Sequence, residues 1–307
     1  MQVTVYKSTG SWYIVKNETG ETFKARIKGK FKIENITSTN PIAVGDIVNI
    51  ENEEDAESIV ITEIFKRHNY INRVSPHNKN QHHIVASNLD QSLLFATIKD
   101  PKTSLGFIDR FLITAEAYHV PAIIVFNKID LLLEKDVAHL ETIKKMYEDI
   151  GYVVKAISLE HQKGLTEINE LLQHKTTLLS GHSGVGKSTF INYLFPDFKL
   201  KTQDVSSWSG KGLHTTTFAE MFDLPIGGRV IDTPGIRELG LVDIEKEELS
   251  QYYPEMRALI NTCQFNNCMH INEPGCAIKK AVNDGSICTE RYYSYLNILE
   301  TIERKSY

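Results

Sequence analysis

Apolar residues come in short β-type runs through the first 66 positions, at residues 3–6, 12–15, 23–33, 47–50 and 59–65. Turn signals such as Ser8-Thr9-Gly10-Ser11 and Asn17-Glu18-Thr19-Gly20 separate them. About five strands in so short a span predict a small β barrel, for which OB-type and SH3-like arrangements share the same statistics. Residues 75–83 (SPHNKNQHH) are polar, lack an apolar period and predict an exposed connection. From Leu89 to Leu241, apolar runs return at 93–98, 122–126, 152–157, 176–179, 217–224 and 230–231, with helix-compatible stretches between. That alternation predicts a mainly parallel α/β sheet. Beyond Val242 the pattern is helical, and Tyr292, Tyr295, Leu296, Leu299 and Ile302 share one face of a final amphipathic helix. The expected division is a barrel at 1–66, a linker at 67–83, an α/β domain at 84–241 and a helical domain at 242–307.

Composition narrows the class of protein. The 307 residues suffice for two or three modules, and 41% hydrophobic with 24% charged residues excludes chain-wide disorder. No run approaches the roughly 20 apolar residues of a membrane span, and residues 1–7 lack a basic stretch leading into an apolar one. Neither membrane insertion nor secretion is expected. All four cysteines lie between Cys263 and Cys288, which points to a local metal site in a reducing compartment and hence to the cytoplasm.

The net charge of -5 gives no global reason to expect nucleic acid, but the charge is unevenly placed. Lys24, Arg26, Lys28, Lys30 and Lys32 alternate with Phe23, Ala25, Ile27, Phe31 and Ile33, so one strand face carries every base. Lysines guarding a solvated edge strand would share this pattern. Five in strict alternation on a small barrel favour RNA contact. Acidic Glu51, Glu53, Glu54, Asp55 and Glu57 offset the net charge and are expected to leave that face uncovered.

Chemistry concentrates in three segments that follow apolar runs. Gly181, His182, Ser183, Gly184, Val185, Gly186, Lys187 and Ser188 satisfy G-x-x-x-x-G-K-[ST] between a strand and the helix that opens at Thr189. The glycines let backbone N–H groups curl around a triphosphate, Lys187 reaches its β and γ phosphates, and Ser188 ligates Mg²⁺. The helix adds its positive end. In Asp232-Thr233-Pro234-Gly235, Asp232 can hold the Mg²⁺ shell and Gly235 can approach the γ phosphate. In Asn127-Lys128-Ile129-Asp130, a carboxylate can accept from both N1–H and the 2-amino group of guanine, which selects GTP over ATP. Each motif has bland structural uses alone. Three of them at the ends of three predicted parallel strands indicate one nucleotide site.

Their order is unusual. Ras-like GTPases carry the phosphate loop first and the guanine motif late, whereas here Asn127 to Asp130 precede Gly181, which precedes Asp232. The sheet is expected to be circularly permuted, an arrangement that surface termini tolerate. The segment after Asp232 then leads directly into the cysteine-bearing tail, where hydrolysis could move it. With these motifs, the barrel and the cysteine cluster, essentially the whole chain resembles the circularly permuted bacterial GTPases of small ribosomal subunit biogenesis, the ribosome small-subunit-dependent GTPase A family. The resemblance implies an N-terminal OB fold, a permuted Ras-like P-loop GTPase domain and a C-terminal zinc domain. It also implies hydrolysis of GTP to GDP and phosphate, stimulated by the 30S subunit during late maturation on its 16S rRNA. A soluble, membrane-free, monomeric protein is expected.

Ile236 stands where Ras-like enzymes place a water-orienting glutamine, so slow basal turnover is expected. The nearest candidate for that task is His214, in Gly212-Leu213-His214-Thr215-Thr216-Thr217, although it could equally order the loop or touch rRNA. Thr216, with Thr215 as alternative, is the expected second Mg²⁺ ligand. Leu213 replaces an arginine usual in the family, which removes any role of that residue here. Ser158, after the run at 152–157, resembles the loop that closes over guanine, although Leu159 departs from the usual small residue. Cys263-x4-Cys268-x-His270-x5-Cys276 forms a complete Cys₃His set for structural Zn²⁺, with Cys288 left over as a small core residue. Besides the subunit-stimulated switch, two readings remain: an RNA-binding checkpoint in which GTP occupancy matters and turnover is incidental, and a GTPase serving metal delivery.

Overall fold

The computed structural model describes residues 1–27, 40–53, 58–74, 82–196, 219–233, 241 and 244–302. The barrel consists of β1 (Gln2–Ser8), β2 (Tyr13–Lys16), β3 (Thr22–Ile27), β4 (Ile47–Asn52) and β5 (Ile59–Ile64). It closes because β1 pairs with both β2 and β4, while β3 runs parallel to β5. That is the OB-type arrangement, and it decides against the SH3-like alternative. Strand alternation turns Val3, Val5, Tyr13, Val15, Ala25, Val48 and Ile61 inward as one core.

The span expected to be a linker contains structure instead. β6 (Tyr70–Val74) and β7 (His82–Ser87) pair as an antiparallel hairpin whose Ile71, Val85 and Ala86 enter the main core. Only one apolar face was needed to fix it, too little to show as a pattern between polar neighbours. Buried Asp46 fastens the hairpin to the barrel. It accepts hydrogen bonds from Ala43 N at 2.8 Å, from Ser87 Oγ at 2.6 Å and from Arg67 at 2.6 Å through two nitrogens. A carboxylate so fully supplied with donors tolerates complete burial.

The α/β sheet runs in the order β10-β9-β8-β11-β13-β12, with β8 (Gln91–Ala96), β9 (Ala122–Phe126), β10 (Val153–Ala156), β11 (Thr176–Gly181), β12 (Glu220–Asp223) and β13 (Arg229–Asp232). All are parallel except β12. Helices α1 (Leu105–Ala117) and α2 (Glu134–Asp149) cover one face, while α3 (Leu165–Leu172) and α4 (Lys187–Leu194) cover the other. Burial on both faces explains why β8 and β9 read as unbroken apolar runs. β1 then pairs with β12, so barrel and sheet form one eleven-stranded array. A bulge between Val5 and Lys7 re-aims β1 at this joint: the Tyr6 hydroxyl donates to Asp223 at 2.6 Å, and Lys7 Nζ to Glu220 at 2.7 Å.

The C-terminal part contains α5 (Pro254–Arg257), α6 (Ala277–Asn283) and α7 (Thr289–Thr301). Its anchor is Arg291, among the largest fully buried side chains of the described residues. The guanidinium donates to Asp109 of α1 and to Glu255 of α5 at 2.7 Å, lies 4.4 Å from the Tyr253 ring centroid, and shares Asp109 with the Tyr147 hydroxyl at 2.8 Å. Burial alone would lower its pKa, but the two carboxylates hold it well above the ordinary arginine value. Either charge left alone would be a large penalty. Arg291→Met is therefore expected to destabilise the chain by about 3–5 kcal/mol in denaturant unfolding, and a loss below about 1 kcal/mol would contradict this account.

Candidate functional site

Five parallel strands end on one edge of the sheet, and the motifs follow those ends: Asn127 after β9, Ser158 after β10, Gly181 closing β11 and Asp232 closing β13. A crevice beyond the carboxyl ends of such strands is where this architecture holds ligands. Two glycines of the loop after β11 are required by geometry. Gly181 has φ +139, and a Cβ there would lie 2.4 Å from the Phe95 carbonyl oxygen; at Gly186, φ +105, one would lie 2.2 Å from Asn127 Nδ2. Asn127 donates to the Val185 carbonyl at 2.8 Å and accepts from Leu159 N at 3.3 Å, tying the loops after β11 and β10 to its own.

Lys187 lies inside the loop, donating to the carbonyls of Gly181 and, at 2.6 Å, of His182. Burial pushes its pKa down to about 8, with Asp232 acting in the opposite direction. Burial likewise raises the Asp232 carboxyl against the pull of Lys187. Ser183, Gly184 and Thr189 are exposed, Ser188 is half-buried, and Val185 is fully buried, so its side chain belongs to the core beneath the loop. The His182 ring stacks on Phe107 with centroids 3.6 Å apart. Ser104 sets that contact by capping α1 through the Phe107 N–H.

On the guanine side, Lys128 adopts a left-handed conformation with φ +64 and donates to the Asp100 carbonyl at 2.6 Å. Asp130 accepts from the Ser158 hydroxyl, which itself accepts from His161 N at 3.1 Å. A cavity of about 430 Å³ opens beside them, lined by Ile129, Asp130, Leu132, Leu140, Ser158 and Lys163. His214, Thr215, Thr216, Leu213, Gly235 and Ile236 lie outside the described residues.

Of the basic strand face, Lys28, Lys30 and Lys32 also lie outside the described residues. Lys24 is exposed with its ammonium 4.4 Å from the Trp12 ring centroid. Arg26 is exposed too, but it pairs with Glu53 at 2.6 Å. The expectation that acidic residues leave this face uncovered is therefore corrected, because β4 runs out beside β3 across β5 and brings Glu53 within reach.

Cys263, Cys268, His270 and Cys276 bring their ligand atoms within 4.8 Å of one another. His270 Nδ1 lies 3.7 Å from Cys263 Sγ and 3.4 Å from Cys276 Sγ. Zinc bonds of about 2.0–2.3 Å place tetrahedral ligands at about this spacing, so the donor set suits zinc. Burial pushes the Cys268 thiol up to about 12, which a bound dication would reverse. Glu273 braces the loop by accepting from the N–H groups of Met269, Ile271 and Asn272, while Tyr292 and Tyr295 of α7 donate to the carbonyls of His270 at 2.6 Å and Met269 at 2.8 Å. Cys288 is not in the core as expected: it stands at the N-cap position of α7, half-buried, with its thiol donating to the Glu290 side chain at 2.9 Å. Sequence reasoning also missed Phe107, Asp100 and Asn127's link to Leu159, contacts that leave no local signature.

Family models described as RsgA GTPase and RsgA N-terminal domain match residues 64–242 and 2–60. A Flavobacterium johnsoniae protein named small ribosomal subunit biogenesis GTPase RsgA is 51% identical over 302 residues, 98% of this chain and 93% of that one. A Bacteroides fragilis protein of the same name is 47% identical, spanning 100% of this chain and 99% of its own. Among solved structures, YjeQ from Thermotoga maritima superposes with a TM-score of 0.78 at 33% identity, covering 99% of each chain. YloQ, described as a circularly permuted GTPase, gives 0.76 at 30% identity, covering 100% of this chain and 96% of its own.

Two outcomes follow from the geometry. Lys187, held near 8 by burial, would have to be protonated to meet a polyphosphate, so guanine nucleotide affinity is expected to fall as pH rises from 7 to 9, with net proton uptake on binding. Calorimetry in buffers of different ionisation enthalpy checks this, and a pH-independent affinity would contradict it. Purified protein is expected to carry one zinc per chain, and chelation to remove the helicity of α6 and α7. Zinc loss with unchanged circular dichroism would exclude a structural role.

Proposed function

The chain belongs to the RsgA GTPase family and hydrolyses GTP, and we propose that it is a switch in the late maturation of the 30S ribosomal subunit. In this reading it binds 16S rRNA and is stimulated by the subunit. The relatives at 47–51% identity carry small-subunit biogenesis in their names, which supports the biological setting. The observation that carries the chemistry is Asn127, whose amide joins the phosphate loop to the loop after β10 beside Asp130. One residue thereby couples the place for a guanine edge to the place for phosphates.

The roles follow from position. Gly181 to Ser188 surround the phosphates, with Lys187 leaving its carbonyl partners for the β and γ oxygens. Asn127, Lys128 and Asp130 with Ser158 hold guanine, GTP or GDP alike. Ser188 and Thr216 would ligate Mg²⁺, with Asp232 in its surrounding shell; the ion neutralises charge on the transferring phosphoryl group. Gly235 would approach the γ phosphate and His214 would orient the attacking water. The four residues of the cysteine cluster would hold one structural Zn²⁺ that keeps the helical module of 242–307 folded.

GTP would order the loops around magnesium and favour the subunit-bound state, and hydrolysis would release it. The barrel of 1–66 would meet rRNA through Lys24 and its strand neighbours, with Arg26 available once it leaves Glu53. Among the described residues no helix is long and apolar enough to cross a membrane. In this reading the protein works as a monomer in the cytoplasm. The deciding experiment is the GTPase rate across GTP concentrations with 30S subunits, with 50S subunits and with neither. Stimulation by 30S alone is expected; an equal rate in all three would leave nucleotide-dependent RNA binding as the function.

A further inference from the structure

We propose that Lys7 of the barrel is a positioning residue for guanine nucleotide binding: it neutralises Glu220 and so keeps that carboxylate's charge away from the magnesium and triphosphate side of the site at Asp232. This rests on the reading that Asp232 stands at the magnesium end of a guanine nucleotide site.

The geometry is specific. In the antiparallel pair of β12 with β13, Glu220 stands directly opposite Asp232. Residues so placed share a face with Cβ atoms about 4.5–5.5 Å apart, and like charges there repel. Such an arrangement is costly beside a site that receives a polyanion. In the pairing of β1 with β12, Lys7 in turn stands opposite Glu220, with Nζ 2.7 Å from Oε2. Both side chains are partly withdrawn from water, at 18% and 27% exposure, so solvent screens the pair less than an open surface bridge.

Among the described residues, the other cations near this joint do not reach Glu220: Lys187 acts on Asp232 itself. Lys187 donates to the carbonyls of its own loop, and Lys16 and Arg229 pair with Asp223. The bulge in β1 brings Tyr6 and Lys7 to the joint together, so the cation arrives only when the barrel is seated on β12. Seating of the barrel thereby sets the charge beside the phosphates. If it shifts so that Lys7 leaves, Glu220 presents an unbalanced negative charge to an incoming nucleotide.

A four-member cycle on the full chain tests this: wild type, Lys7→Met, Glu220→Gln and the double variant. The readouts are binding of fluorescent GDP with Mg²⁺ at low ionic strength, and kcat and KM for GTP. Lys7→Met is expected to weaken nucleotide binding about three- to tenfold, a loss that shrinks in ~0.5 M salt. Glu220→Gln should bind at least as tightly as wild type, and the double variant should return to within about twofold of it. Lys7→Arg should behave as wild type. A purely mechanical joint predicts the reverse, with Glu220→Gln and the double variant as weak as Lys7→Met, and that result would overturn the inference. Glu220→Gln decides the matter even if Lys7→Met folds poorly. Absence of Mg-dependent guanine nucleotide binding in wild type would instead refute the underlying reading of the site.

Discussion

The close approach of β11 to β8 is the constraint around which the site is arranged. At its last residue β11 lies so near the Phe95 carbonyl that no side chain fits, and the chain turns there into the phosphate loop. β8 and β13 flank it in parallel, and each delivers a loop to the same edge. Asn127 can reach the Val185 carbonyl only because β9 follows β8 in register. The site is thus a property of strand order in space, and the order of the same strands along the chain is free to change.

Two longer-range attachments build on that core. Buried Arg291 secures the helical module to α1, while the zinc-type cluster orders the loop that α7 holds through Tyr292 and Tyr295. α1 belongs to both regions. Phe107 at its start stacks on His182 of the phosphate loop, and Asp109, half a turn further, receives Arg291. The phosphate loop and the C-terminal module therefore share one rigid element.

Much of this was legible in the sequence where chemistry demands particular residue types at fixed spacing. Gly181 to Ser188, Asn127 to Asp130 and the cluster from Cys263 to Cys276 fall into that class, and the structure brings the described members of each together. Strands buried on both faces were equally clear, because β8, β9 and β11 have no polar face to hide them. Pairings between distant residues left no trace. Arg291 reads as a surface cation at the start of a helix, and nothing near it announces Asp109. The partnership of Arg26 with Glu53 and the hairpin across the supposed linker depend on neighbours that only the closed barrel and the main core supply. Cys288 was misplaced for the converse reason, since a thiol at a helix cap looks like any other small apolar residue.

The joint of β1 with β12 has a bearing on how the chain is made. Lys7 and Glu220 are 213 positions apart, so one side of this pairing leaves the synthesising ribosome long before the other exists. Until β12 arrives, the newborn barrel carries part of β1 as an uncovered strand edge, open to adventitious pairing with other chains. Arrival of β12, which among the described strands is translated next to last, thus covers that stretch of the first strand and removes it from such pairing.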